Sequence, residues 1–159
     1  MSSINLDKGY AQKTLELPDH LKVFLQKQDW QGLDQALTPL IQPQSCLYQA
    51  LRLYISFETI EYITSVRDAK NEWEEDGIWH DDGSRVLAFS LSLNLNPQEM
   101  EGGEIGFRKK NHSQSSLIPI QPYGELMIFA TGYWGWEHKV YKVRKGIRVV
   151  MAGWCSTKE

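Results

Sequence analysis

Between Phe89 and Asn96 the chain reads FSLSLNLN, and this stretch limits the fold more than any other. Phe89, Leu91, Leu93 and Leu95 alternate with Ser90, Ser92, Asn94 and Asn96. A two-residue period is that of a β-strand, so this strand has one apolar face and one face of small polar side chains. The texture persists downstream. Residues 104–107, 116–120, 125–130, 137–143 and 147–154 are further strand candidates, separated by Gly, Asn, Pro and Lys-Gly turn signals.

The N-terminal part follows another period. Leu21, Phe24, Leu25, Leu33, Leu37, Leu40 and Ile41 fall at helical spacings within residues 17–41, with Asp19 after Pro18 as the N-cap candidate. Residues 47–66 mix helical and alternating periods and take no clean assignment. A helical segment followed by short antiparallel strands predicts a mainly β sandwich or barrel with helices laid against one face. At 159 residues the chain fits one domain, with a helical part at about 17–45 and a β core at about 47–155. Residues 68–78, acidic, and 108–115, basic, read as mobile loops over that frame.

Composition narrows the function classes. Hydrophobic residues make up 42% and charged residues 23% of the chain, as in globular proteins with a core. A formal charge of −3 gives no general basic field for nucleic acid, although Arg108, Lys109 and Lys110 form a local patch. Cys46 and Cys155 lie far apart without C-x-x-C spacing and read as core thiols. No apolar run approaches the roughly 18 residues of a membrane span, and the start lacks a secretory pattern, so a cytoplasmic protein is expected.

Against this background GIWHDDGS, residues 77–84, stands out. In an extended chain His80 and Asp82 point to one side and Asp81 to the other. An imidazole and a carboxylate presented together suit a divalent first-row metal, and His138, in WGWEHKV, is the candidate third ligand. Two His and one carboxylate on one face of an octahedron leave about three positions open, the pattern of a non-haem Fe(II) centre that activates oxygen. Catalytic zinc, typically tetrahedral with one open position, fits less well. Ten residues after His138 stands Arg148, inside the apolar run IRVVMAGW. Pointing inward, it needs an anion, and its guanidinium can hold a carboxylate with two parallel hydrogen bonds. Glu137 points away from the metal by alternation, and His20 and His112 read as surface residues. Trp73, Trp79, Trp134 and Trp136 read as core or rim packing before substrate contacts.

Four pieces in order, His80-Asp81-Asp82, the Gly102-Gly103 pair in EGGEIGF, PYGELMIF, and EHKVYKVRKGIR, resemble the iron- and 2-oxoglutarate-dependent oxygenase superfamily, and most its prolyl-hydroxylase-like branch. The likeness covers roughly residues 78–155. It implies a double-stranded β-helix, or jelly roll, with His80, Asp82 and His138 holding Fe(II) and Arg148 binding the distal carboxylate of 2-oxoglutarate. It also implies O2 as co-substrate, ascorbate as an accessory reductant, and hydroxylation of an amino-acid, peptidyl or other small organic substrate with release of succinate and CO2. The carboxylate of Asp82 marks a hydroxylase, since halogenases of the family carry a small residue there. Where prolyl-hydroxylase relatives often use a tyrosine against 2-oxoglutarate, this chain has Ser92, with a shorter reach, and Ser90 and Asn94 are the alternatives for that contact. The alternatives are a non-catalytic jelly-roll metal-binding or sensor protein and a cupin-like metalloenzyme that does not use 2-oxoglutarate.

Overall fold

The structure is a computed structural model that describes residues 6, 8–73 and 76–157; Glu74 and Glu75 of the acidic run lie outside them. In chain order the elements are β1 (Tyr10–Thr14), α1 (His20–Lys27), α2 (Trp30–Leu37), α3 (Cys46–Arg52), β2 (Thr59–Asp68), β3 (Leu87–Ser92) and β4 (Glu101–Gly102). They continue with β5 (Ile105–Lys109), β6 (Ser116–Ile118), β7 (Glu125–Phe129), β8 (Trp136–Val140), β9 (Val143–Lys145) and β10 (Ile147–Ser156). Among the described residues no helix is long and apolar enough to cross a membrane.

Five strands form the major sheet in the order β1-β7-β3-β10-β2, each antiparallel to its neighbour. Its two faces have different partners, which follows from the alternation in β3. Phe89, Leu91 and Leu93 pack with Leu126, Ile128, Val149 and Met151 against Leu21, Leu33, Leu37 and Leu51 of the helices, all buried in one core. On the opposite face Ala88, Met127 and Phe129 meet Ile105, Phe107 and Ile118 of a minor sheet ordered β6-β5-β8. Two antiparallel sheets facing across a small core, with helices behind the larger, make the expected jelly roll.

Several local expectations change. The helical part runs on to Arg52, because Ser45 caps α3 by accepting the Tyr48 N–H at 3.1 Å. Residues 47–66 looked mixed because they hold the body of α3 and most of β2. Asp19 sits at the N-cap of α1 but makes no capping bond there; Asp29 does cap α2, accepting from Gly32 N–H at 3.0 Å. Arg108 and Lys109 belong to β5 and not to a loop. Cys155 is buried as expected, whereas Cys46, the first residue of α3, is exposed.

The Gly102-Gly103 pair is required by close approach. Both have positive φ, 81° and 75°, and a Cβ on Gly102 would stand 2.0 Å from the Lys142 carbonyl oxygen. A side chain there would force β4 off β9.

Candidate metal centre

His138 lies on β8 and faces the interior, its ring stacked on Phe129 at 5.3 Å between centroids. The segment before β3 is tied to this strand. His80 N–H donates to the His138 carbonyl at 2.9 Å and His138 N–H returns the bond to His80 at 2.9 Å. This two-way bridge sets the imidazoles side by side, 4.3 Å between ring centroids.

Asp82 joins them by a route that strand alternation does not describe. Its φ is +64°, as is that of Gly83, so the chain leaves the extended conformation at Asp82 itself and the carboxylate swings back toward the rings. Asp82 Oδ1 stands 3.9 Å from His80 Nε2 and Oδ2 stands 3.5 Å from His138 Nε2. One donor atom from each of the three residues falls within 4.8 Å of the others. Asp81 takes the other side, paired with Lys110 and accepting Gly83 N–H at 2.9 Å. These contacts hold its carboxyl below the ordinary carboxylate range.

Protonation states suit a cation. Burial first, then the neighbouring His80 and Arg148, push His138 down to about 3, so its ring is neutral. His80 Nδ1 lies 3.2 Å from the Ile78 carbonyl. A proton held there leaves the Nε2 lone pair turned toward Asp82. Burial raises Asp82, opposed by His80 and by a hydrogen bond from the Trp154 indole. Its Oδ2 is buried with no hydrogen-bond partner, as is His138 Nδ1. A buried unpaired carboxylate oxygen between two imidazole nitrogens is costly unless a cation completes it. The donor set is two nitrogens and one carboxylate, which Fe(II) accepts with positions to spare.

The three residues open into a cavity of about 330 Å3 that is also lined by Arg67, Arg148, Ser90 and Trp154. Arg148 is 4% exposed. Its Nε donates to Gly103 O at 3.1 Å, and no carboxylate among the described residues forms an ion pair with it. Burial, then the neighbouring Arg67, bring its pKa down to about 9, so it is charged at neutral pH. Ser92 lines a smaller pocket with Arg148, Gly103 and Gln121. Its hydroxyl donates to the Gln121 carbonyl at 2.6 Å and accepts from Asn94 Nδ2 at 3.0 Å. Ser90, one pleat along β3, lines both spaces.

The tryptophans divide by role. Trp79 lies on the outer face of the minor sheet, with the Arg108 guanidinium 3.9 Å and the Lys139 ammonium 4.7 Å from its ring centroid. It covers Gly106, where a Cβ would come 3.2 Å from the indole. Glu137 points outward, binding Arg108 Nε at 2.7 Å. Trp136 stacks on Phe107 and Trp134 donates to the Val86 carbonyl at 2.8 Å, so both serve packing. Trp154, inside the cavity, and Arg67 were not singled out by sequence. The signal for Trp154 was there, since it keeps the alternation of Arg148, Val150 and Ala152 along β10.

Residues 65–156 match the model of a family described as the 2OG-Fe(II) oxygenase superfamily. No curated protein shows significant sequence similarity to the chain. Among solved structures, a prolyl-4-hydroxylase of Pseudomonas putida is similar with TM-score 0.59 and 20% identity, over 94% of this chain and 89% of that one. A truncated viral collagen prolyl hydroxylase from Paramecium Bursaria Chlorella virus-1 gives TM-score 0.56 and 13% identity, over 96% and 91%. A prolyl 4-hydroxylase of Phytophthora capsici gives TM-score 0.64 and 13% identity, over 95% of this chain but 59% of that one. At such identities these likenesses are of fold.

Proposed function

This chain belongs to the 2OG-Fe(II) oxygenase superfamily, oxidoreductases that use Fe(II), 2-oxoglutarate and O2, and from that premise we propose which residues act and on what. His80, Asp82 and His138 hold the Fe(II), Arg148 binds the distal carboxylate of 2-oxoglutarate, and an amino-acid or peptidyl side chain is hydroxylated with release of succinate and CO2. One observation carries this reading: the buried, unpartnered Asp82 Oδ2 between two imidazoles shares a cavity with a buried arginine that has no ion-pair partner among the described residues.

When bound, Fe(II) supplies the centre at which O2 is reduced as 2-oxoglutarate is decarboxylated. The protein's part is orientation and exclusion. The His80–His138 backbone bridge fixes the spacing of two ligands before the metal arrives, and the stack on Phe129 fixes one ring plane. Arg148 meets the distal carboxylate where water is scarce and a charge-assisted pair is strong. Ser92, its proton committed to Gln121, serves as a wall of the co-substrate pocket and orients Asn94, whose Oδ1 accepts Val149 N–H at 2.8 Å. Ser90 is the hydroxyl of this strand that faces the cavity, and it is the side chain placed to contact the co-substrate directly.

A volume of about 330 Å3 is near the lower end of the roughly 300–1,000 Å3 of small-molecule sites. It takes the co-substrate and the tip of a substrate, not a large free molecule. Three of the structural relatives are named prolyl hydroxylases, which supports an amino-acid or peptidyl substrate. The test is anaerobic titration of metal-free protein with Fe(II) and 2-oxoglutarate, following the weak visible charge-transfer band of the chelate. A band that requires both reagents and is lost in Asp82→Ala and Arg148→Ala supports the assignment. Iron-loaded protein without a band would point to a metal-binding jelly roll that does not use 2-oxoglutarate.

A further inference from the structure

The cavity lies beside a sheet edge that no other strand among the described residues pairs. β2 is the last strand of the major sheet, and its ten residues pair with β10 in unbroken register from Thr59↔Ser156 to Asp68↔Ile147. Leu93 N–H donates to the Val149 carbonyl, so odd-numbered residues of β10 turn their peptide groups toward β3 and even-numbered ones toward β2. Across the ladder to β2 this turns the peptide groups of Glu61, Ile63 and Ser65 inward, and those of Ile60, Tyr62 and Thr64 outward. Among the described residues these outward N–H and C=O groups have no backbone partner.

Other sheet edges are short or covered. β1, at the far end of the major sheet, has five residues and carries Lys13. β6 and β9 have three residues each and β4 two. β8, at the edge of the minor sheet, is bridged by Asp76 and His80. β2 has none of the devices that blunt a long edge: no Pro, no Gly, no bulge, and no charge from Tyr62 to Val66. Its side chains Ile63 and Ser65 line the cavity that holds His80, Asp82 and His138. Ile63 is also 52% exposed, so the cavity reaches solvent beside the middle of this edge.

A row of outward N–H and C=O groups is complementary to another extended backbone, and a strand added there lies about 4.8 Å from β2. Its side chains alternate between the cavity face and the helix face. In an antiparallel pair the residue opposite Ile63 shares the face of Ile63 and its non-hydrogen-bonded position. Such a residue sends its side chain toward the cavity mouth and its N–H away from β2, so even a proline fits there without losing a bond. We infer that β2 is the docking edge for a peptidyl substrate, which binds as an added antiparallel strand with its reacting residue opposite Ile63 and the flanking residues bonded to Tyr62 and Thr64. This docking mode deepens the function proposed above and rests on it.

The test is amide hydrogen exchange on the full chain with Fe(II) and 2-oxoglutarate under anaerobic conditions, resolved to single residues by fragmentation mass spectrometry. The probe is a short acetylated peptide that alternates Thr and Val about a central Pro, added to millimolar concentration. Exchange at Tyr62 and Thr64 is expected to slow on the order of tenfold near saturation, while Ile63, already bonded to β10, does not change. N-methylation of the valine after the proline, whose N–H faces β2, should weaken binding on the order of tenfold. N-methylation of the next threonine, whose N–H faces away, should leave it within about twofold. No protection at millimolar peptide, or equal binding of the two methylated peptides, would overturn the docking edge. Protection of Tyr62 and Thr64 that grows with protein concentration in the absence of peptide would give the edge to a second copy of the chain and overturn it as well. The chelate band is read in the same samples, and its absence would refute the 2-oxoglutarate assignment itself, whatever Tyr62 and Thr64 show.

Discussion

Asp82→Gly should make the metal-free protein more stable and the metal-loaded protein no more stable than that. Asp82 has φ of +64°, a conformation that costs an L-residue roughly 1 kcal/mol and costs glycine almost nothing. Glycine gives back a similar amount, about 0.5–1 kcal/mol, through the freedom of its unfolded chain, so the two backbone effects nearly cancel. What remains is the side chain, 5% exposed, with Oδ2 unpartnered. Relieving a buried unsatisfied acceptor is worth about 1–3 kcal/mol; the Trp154 indole that bonds the carboxylate lines the same cavity, where water can replace that bond. For a chain of this size about 1 kcal/mol moves Tm by 2–4 °C, so the variant should melt at least about 2 °C above wild type without metal. Wild type at a hundred times its metal Kd should gain about 2.7 kcal/mol, or about 5–10 °C, and the variant should gain none of it. Anaerobic thermal melts with and without Fe(II) read both numbers. A metal-free variant that melts below wild type, or one that keeps the metal-induced rise, would refute the account of Asp82 as a ligand held at the expense of the fold.

Other outcomes follow from the same geometry. Because His138 is depressed from 6.5 to about 3, the unfolded chain binds a proton there that the folded one does not, so metal-free stability should fall as pH drops from about 6.5 toward 3; His138→Gln should show a shallower acid slope in chemical denaturation. Trp79→Ala, which removes the indole between Arg108 and Lys139, should lower metal affinity more than melting temperature, with Trp79→Phe intermediate; equal metal affinity in titration would deny the anchor any part in ligand spacing. Cys155 is fully buried and pushed up to about 12, so iodoacetamide at pH 8 should label only Cys46 in folded protein, as mass spectrometry would report. Gly102→Ala, whose Cβ would meet the Lys142 carbonyl at 2.0 Å, should separate β4 from β9 and yield little soluble protein; near-wild-type yield and Tm would mean that this turn yields easily.

The jelly roll was legible because its central strand is two-faced: Phe89, Leu91 and Leu93 announce a helical cover, and Ser90 and Ser92 a face that packs less tightly. His138 and Arg148 were legible for a related reason, each a polar residue in a strand with few ways to satisfy it. Less visible was whatever depends on distant pairing. β1 carries YAQKT, with no alternation, and is a strand because β7, more than a hundred residues on, gives it register from Tyr10↔Phe129 to Thr14↔Glu125. Arg67 lay just past the mixed stretch of residues 47–66, so its alignment with Arg148 appeared only with the register. The approach of Asp82 was misread because periodicity assumes a uniform backbone, and a single left-handed residue beside Gly83 breaks that assumption.

The strand order has a consequence for how the protein is made. β10 lies between β3 and β2, yet it follows both in the chain, so during synthesis these two strands emerge and wait with their facing edges open. Unpaired edges invite association with other chains, and the interval lasts until the residues between Ser92, the end of β3, and Ile147, the start of β10, have been added at roughly 5–20 residues per second. Arg148 arrives with the strand that closes this gap. The nascent chain therefore cannot offer the proposed co-substrate pocket complete before its major sheet is sealed, and a chaperone that shields the β3 edge would at the same time delay assembly of the site.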